Sequence, residues 1–264
     1  MASDFLLQIK DLKKSYTADN LILKGVNINI RPGEFVGVLG LSGAGKSTFL
    51  RCLNRLIEPT SGQIIFKKSL ITGNVSDTDI MDVCKLPSKD LRLLRRKIGM
   101  IFQQFNIVKR LKVIDNVLSG SLGYQSTFKG TMRIFSLDDK KKALANLERV
   151  GLLDQAYKRA DELSGGQQQR VAIARTLMQN PTLILADEPV ASLDPKLSRE
   201  VLGILQKVCK EDGITALVSL HTLELTKAFS DRILGFHGGH ITFDGTSEEL
   251  NNEAIEKVYA RAGE

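Results

Sequence analysis

The stretch FVGVLGLSGAGKS, residues 35–47, constrains this chain more than any other. Its first half, FVGVLG, is apolar without alternation and reads as a strand buried on both faces, as inside a parallel sheet. It runs straight into GLSGAGKS, residues 40–47, which fits G-x-x-x-x-G-K-[ST] between a strand and a helix, the context that gives the motif its meaning. Gly43 and Gly45 let the backbone wrap close to phosphate oxygens. The amides of Gly40, Leu41, Ser42, Gly43, Ala44 and Gly45, continuing through Lys46, Ser47 and Thr48 into a helix N-terminus, face the anion. Lys46 can reach the β- and γ-phosphates of a nucleotide, and the Ser47 hydroxyl can ligate Mg²⁺. The helix is expected to start near Lys46, with Phe49, Leu50, Leu53, Leu56 and Ile57 at helical spacing, and to stop at Pro59.

A second apolar run, LILADE at 183–188, ends in two carboxylates. A buried strand there delivers Asp187 to the sheet edge, near the Mg²⁺ shell, and Glu188 beside it can orient and deprotonate an attacking water. The plain alternative is two solvated acids at a strand end. These features alone describe a generic phosphate-loop NTPase, with a kinase or a GTPase still open.

Strand signals recur at FLLQI (5–9), VNINI (26–30), GQIIF (62–66), IGMIF (98–102), ITALVSL (214–220) and ILGF (233–236). Turns are expected at ADN (18–20), at Pro32–Gly33, and in HGGH (237–240), where Gly-Gly suits a hairpin. A helical pattern occupies 195–210. Residues 69–90 are polar and irregular and are expected to be an insertion loop. From 105 to 160 the periodicity is helical, with Ser136 and Asp139 opening a helix, Ala143, Leu144, Leu147 and Val150 forming its apolar stripe, and Gly151 capping it. The expected fold class is α/β: one domain over 1–264, a phosphate-loop core of residues 1–104 and 161–264 with a mixed sheet, an N-terminal antiparallel β subdomain, and an α-helical subdomain inserted at 105–160.

No apolar run approaches the roughly 20 residues a membrane helix needs, and MASDFLLQIK lacks the basic start of a signal peptide. Cys52, Cys84 and Cys209 form no CxxC pair and read as reduced thiols without metal or disulfide roles. The net charge is +7, with basic clusters at 92–97, 109–112 and 140–142. They read as solvated helix faces or as attraction toward an anionic membrane surface or nucleic acid, and charge alone does not choose.

ELSGGQQQR, residues 162–170, decides more. It is a second glycine-rich turn into a helix, but without a lysine. With GLSGAGKS, IFQQ, LSGGQ, LADEP, SLDP and SLH in that order, the chain resembles the ATP-binding subunit of an ABC transporter over about residues 5–250. By that resemblance Tyr16 stacks on adenine, and Gln103 touches Mg²⁺ and the attacking water and couples the site to the membrane subunit. Ser164, Gly165, Gly166 and Gln167 form the signature that meets the γ-phosphate of ATP held by another copy. Asp194 communicates across the dimer, and His221 contacts the γ-phosphate. The resemblance implies ATP and Mg²⁺ as cofactors, and a second copy of the chain and a multi-span permease as partners. A substrate-binding protein would be an indirect partner. It implies no nucleic-acid partner and a peripheral location on the cytoplasmic face of the cell's inner membrane.

Within the family, IFQQFNIVKRLKVIDNVLSGSLG (101–123), LSGGQQQRVAIARTLMQNP (163–181) and ILADEPVASLDP (184–195) look like the ATPases of phosphonate and phosphite importers. Residues 69–90 depart from that pattern. Between them, 120–136 carries Tyr124, Phe128, Met132 and Phe135, read either as a plain connector or as a partner-facing surface. The alternatives are an importer ATPase for an amino acid or phosphate and a nucleic-acid-maintenance ATPase. The latter usually inserts coiled coils or zinc modules, and neither heptads nor cysteine clusters lie between Gln103 and Ser164.

Overall fold

The computed structural model describes residues 5–17, 20–68 and 80–260. Four strands, β1 (Leu7–Thr17), β2 (Asn20–Ile30), β4 (Ser61–Lys67) and β5 (Ile80–Asp82), form an antiparallel sheet in the order β2-β1-β4-β5. Six more, β3 (Phe35–Leu39), β6 (Ile98–Ile101), β7 (Leu183–Ala186), β8 (Thr215–Leu220), β9 (Arg232–His237) and β10 (His240–Gly245), form a second sheet in the order β10-β9-β3-β8-β7-β6. Its pairings are parallel except for the β9–β10 hairpin, whose turn holds Gly238 and Gly239 at φ 53° and 89°. The helices are α1 (Lys46–Leu53), α2 (Ser88–Lys97), α3 (Val113–Leu118), α4 (Thr127–Thr131), α5 (Leu137–Arg149), α6 (Gly165–Leu177), α7 (Pro195–Asp212), α8 (Leu223–Phe229) and α9 (Asn252–Tyr259).

The inner strands β3, β7 and β8 of the second sheet are buried on both faces, and strand alternation divides their side chains between two cores. Leu183, Leu185 and Leu217 pack with Phe49, Leu50, Ile64 and Phe66, between the two sheets and around α1. Ile184, Ala186, Ala216 and Val218 pack on the opposite side with Val113, Leu147, Val171 and Leu202, under α3, α5, α6 and α7. Each fully buried side chain of this size contributes roughly 1.5–3 kcal/mol. Clamped from both sides, β3, β7 and β8 are rigid, so the loops at their C-terminal ends are held in fixed positions.

Most expected elements are present, and two expectations are corrected. Helix α1 ends at Leu53 rather than at Pro59. Arg55 turns into the left-handed region at φ 52°, and Arg95 of α2 donates to the carbonyls of Asn54 and Arg55 at 2.9 and 2.7 Å. Those carbonyls are thereby satisfied without further helix, and Leu56 is left exposed. The stretch 69–90 is not wholly a loop either. Residues 80–82 add an edge strand to the antiparallel sheet, and α2 begins at Ser88 with only Leu91 and Leu94 buried. A three-residue strand and a helix with two buried positions carry too little apolar periodicity to read. Residues 69–79 lie outside the described residues, as do 18 and 19 of the expected turn at 18–20.

Candidate functional site

The loop leaving β3 is shaped by backbone that side chains resist. Gly43 has φ 81°, and Gly45, the N-cap of α1, has φ 105°. A Cβ on Gly45 would also lie 3.1 Å from Leu23 and 3.2 Å from the Ile22 carbonyl. Helix α1 then opens with Lys46, whose Nζ donates to the carbonyls of Gly40 and Leu41 at 2.7 and 2.9 Å and sits 3.5 Å from His221 Nδ1. Burial pushes the Lys46 pKa below its ordinary value, while Glu188 and then Asp187 pull it back up. An ammonium held this way is better solvated by an arriving polyphosphate than by two carbonyls.

The two carboxylates after β7 are treated differently. Asp187 is buried, and its amide donates to the Ile101 carbonyl of β6. Its Oδ1 accepts from the Ser47 hydroxyl at 2.7 Å, and its Oδ2 accepts from Arg51 Nε and Nη2 at 3.1 and 2.9 Å. Glu188 sits at φ 50°, a strained conformation for a side-chain-bearing residue, with its amide bound to Ser219 Oγ at 2.8 Å. That turn directs its carboxylate to His221, where Oε1 meets Nε2 at 2.5 Å. His221 follows β8, next to β3 and β7, which explains why three distant segments meet here.

A cavity of about 240 Å³ opens over this group, lined by Tyr16, Ile22, Ser42, Gly43, Gly45, Lys46, Ser47, Thr48 and Glu188. It unites Tyr16 with the phosphate loop, as expected for a purine stacked at one end and phosphates at the other. Among the described residues no cluster of three or more His, Cys, Asp or Glu forms a metal cage. The Ser47 hydroxyl at the cavity and the Asp187 carboxylate buried 2.7 Å behind it suit Mg²⁺, which prefers few protein oxygens and completes its shell with water and phosphate.

Other expected residues stand apart. Gln103 is exposed and lines a neighbouring groove of about 530 Å³ with Arg51, Leu56, Ile57, Phe102, Gln104 and Asn106, not the cavity over the phosphate loop. Ser164 and Gln167 form a capping box at the start of α6, the Gln167 Oε1 accepting from the Ser164 amide at 3.0 Å. None of residues 164–167 lines the cavity. Asp194 caps α7, accepting from the amides of Lys196 and Leu197 at 3.0 Å each. The chain therefore brings together Tyr16, the loop, Asp187, Glu188 and His221, and leaves Gln103, Asp194 and the second cradle outside.

Three residues in this machinery escape sequence reading. Arg51 grips Asp187; its one signal is its place a helical turn after Ser47. Ser219 supports the Glu188 amide from β8. Arg175 of α6 donates to the carbonyls of Phe105 and Asn106, both at positive φ, and so ties the helix of the second cradle to the loop after Gln103.

Comparison with known proteins agrees with this geometry. The family model described as ABC transporter matches residues 23–191. The phosphonates import ATP-binding protein PhnC 2 of Halalkalibacterium halodurans is 52% identical over 254 residues, covering 96% of this chain and 99% of that one. The PhnC protein of Lactobacillus johnsonii is 48% identical, covering 96% and 95%. Among solved structures, a dimeric ATP-binding cassette in a post-hydrolysis state bound to ADP and Pi is 34% identical with a TM-score of 0.73, covering 91% of this chain and 98% of that one. The cbiO1 protein of Clostridium perfringens, part of the ABC transporter complex cbiONQ, is 30% identical with a TM-score of 0.79, covering 97% and 95%. A phosphate loop answered by a carboxylate–histidine pair, a second glycine-rich helix start outside its cavity, and relatives matched nearly end to end lead to one assignment: this chain belongs to the ABC transporter family.

Proposed function

We propose that the chain is the ATP-binding and ATP-hydrolysing subunit of an ABC importer that takes up phosphonate or a related phosphorus oxyanion through a separate membrane subunit. The observation that carries it is the meeting of Lys46, Ser47, Asp187, Glu188 and His221 through side-chain contacts, with Lys46, Ser47 and Glu188 lining the cavity and the lysine-free second cradle at Ser164 outside it. The phosphonate assignment is supported by relatives of 45–52% identity named for phosphonate import.

In this reading ATP stacks its base on Tyr16 and lays its phosphates along Gly40–Thr48, with Lys46 moving from the loop carbonyls to the β- and γ-phosphates. Ser47 and Asp187 would hold Mg²⁺, with Gln103 entering its shell as the groove closes; the ion supplies charge neutralisation at the phosphates. Two copies pair so that Ser164–Gln167 of one, a helix N-terminus with free donors, meets the γ-phosphate on the other, and Asp194 lies at the junction. Glu188 takes a proton as water attacks the γ-phosphorus and ADP leaves, and His221 orients the group being transferred. Closing and reopening of the pair drives a membrane subunit docked in the groove by Gln103, between the core (1–104 and 161–264) and the helical segment 105–160. Such a chain sits peripherally on the cytoplasmic face of the inner membrane; no helix among the described residues is long and apolar enough to cross it.

The test is ATPase activity of the complex reconstituted with its membrane and binding-protein subunits, screened against phosphonates, phosphite, phosphate and amino acids. Stimulation by phosphonates or phosphite is expected. Stimulation by amino acids alone, or by phosphate alone, overturns the substrate assignment.

A further inference from the structure

We infer that Arg51 is a positioning residue for the metal-site carboxylate: its two N–H donors lock one oxygen of Asp187 so that the other stays aimed at Ser47. This rests on the reading of Ser47 and Asp187 as the oxygens that hold the cation of Mg·ATP.

The side chain of Asp187 is 3% exposed, and a carboxylate so buried needs every lone pair spoken for. Its two oxygens have separate partners. Oδ1 faces the Ser47 hydroxyl at 2.7 Å and Ser219 Oγ at 3.4 Å, and Oδ2 takes two donors from the one guanidinium. Held at both ends, the carboxylate cannot turn about its Cβ–Cγ bond. A planar fork does this where an ammonium, a point charge on a flexible stem, does not. Ser47 and Arg51 lie one turn apart on α1, so the helix that follows the phosphate loop carries a donor to each oxygen of Asp187, with Ser219 of β8 adding a longer one. The arginine is not locked away: its side chain is 43% exposed and lines the groove that contains Gln103. It thus bridges that groove and the metal-site carboxylate.

Without the fork, the buried carboxylate swings, and the part of nucleotide affinity that depends on the cation falls. The part that depends on the phosphate loop and Tyr16 stays. Thermal melting of the purified chain with a non-hydrolysable ATP analogue separates the two, in EDTA and in Mg²⁺. The increment in EDTA is expected to match wild type in Arg51→Met and Arg51→Lys, which also shows that both fold. The further increment given by Mg²⁺ is expected to shrink by more than half in Arg51→Met and by less in Arg51→Lys. The Mg²⁺ concentration for half-maximal ATPase should rise about ten-fold in Arg51→Met, the size typical of losing a group that orients a metal ligand. An Arg51→Met chain with the wild-type Mg²⁺ increment overturns the inference while leaving the Ser47–Asp187 site standing. A wild-type chain with no Mg²⁺ increment overturns both. Should Arg51→Met fail to fold, an Arg51→Lys chain indistinguishable from wild type in Mg²⁺ overturns the inference by itself.

Discussion

Glu188 shows how much local structure one side chain can demand. Its φ of 50° is uncommon for a residue with a Cβ, and it persists because Ser219 holds the amide and His221 holds the carboxylate. Glu188→Gln keeps the shape and removes the base, so ATP binding should be retained while turnover falls by a factor of about 10²–10⁴. Single-turnover hydrolysis alongside nucleotide binding checks this, and hydrolysis near the wild-type rate would mean that another group takes the proton. The three cysteines make a second residue-scale case. Burial pushes the Cys52 and Cys209 thiols up to about 12, and Cys84 to about 11, from an ordinary 9.0. The folded chain therefore keeps its thiols protonated where the unfolded chain ionises. Their contribution to stability is complete below pH 9 and fades as pH rises toward 11–12. At pH 8 the native thiols should react with a disulfide reagent far more slowly than in denaturant, and equal rates would contradict the burial. At this scale the sequence was informative about place where a motif marked it: Lys46, Ser47, Asp187, Glu188 and His221 all meet. Arg51 was silent, because an arginine on a helix carries no pattern until the fold brings Asp187 beside it.

Elements were readable in proportion to how much they bury. FVGVLG, LILA and ITALVSL are continuous apolar runs and became the inner strands β3, β7 and β8. Helix α5 announced itself through Ser136 and Asp139, which form a capping box, and through Gly151 at φ 67° past its end. Ser136→Ala should cost about 1 kcal/mol. A urea transition shifted by less than a third of that would show that tertiary packing alone holds the start of α5. The end of α1 was misread because its apolar spacing continues through Ile57, whereas the chain had already turned at Arg55 under the hold of Arg95. That is a long-range cause, and local periodicity cannot reveal it.

Under the proposed function, the molecule as a whole is organised around a site it does not complete alone. The six-stranded sheet fixes the loops after β3, β7 and β8 against one another, and that part of the site is finished within one chain. The cradle at Ser164 is equally well built, its cap satisfied and Gly166 buried against Leu197, yet it lies outside the cavity. Under the proposed function, that placement fits a two-fold assembly in which each copy supplies half of each site. Light scattering of Glu188→Gln with Mg·ATP tests this most directly. A particle of about twice the 29.1 kDa chain mass is expected with ATP, and the single-chain mass without it. Adding Gly166→Asp, which sets a carboxylate against the expected γ-phosphate, should leave a single chain that still binds ATP. Loss of ATP binding in that single chain would contradict the account, because the second cradle would then be serving its own subunit.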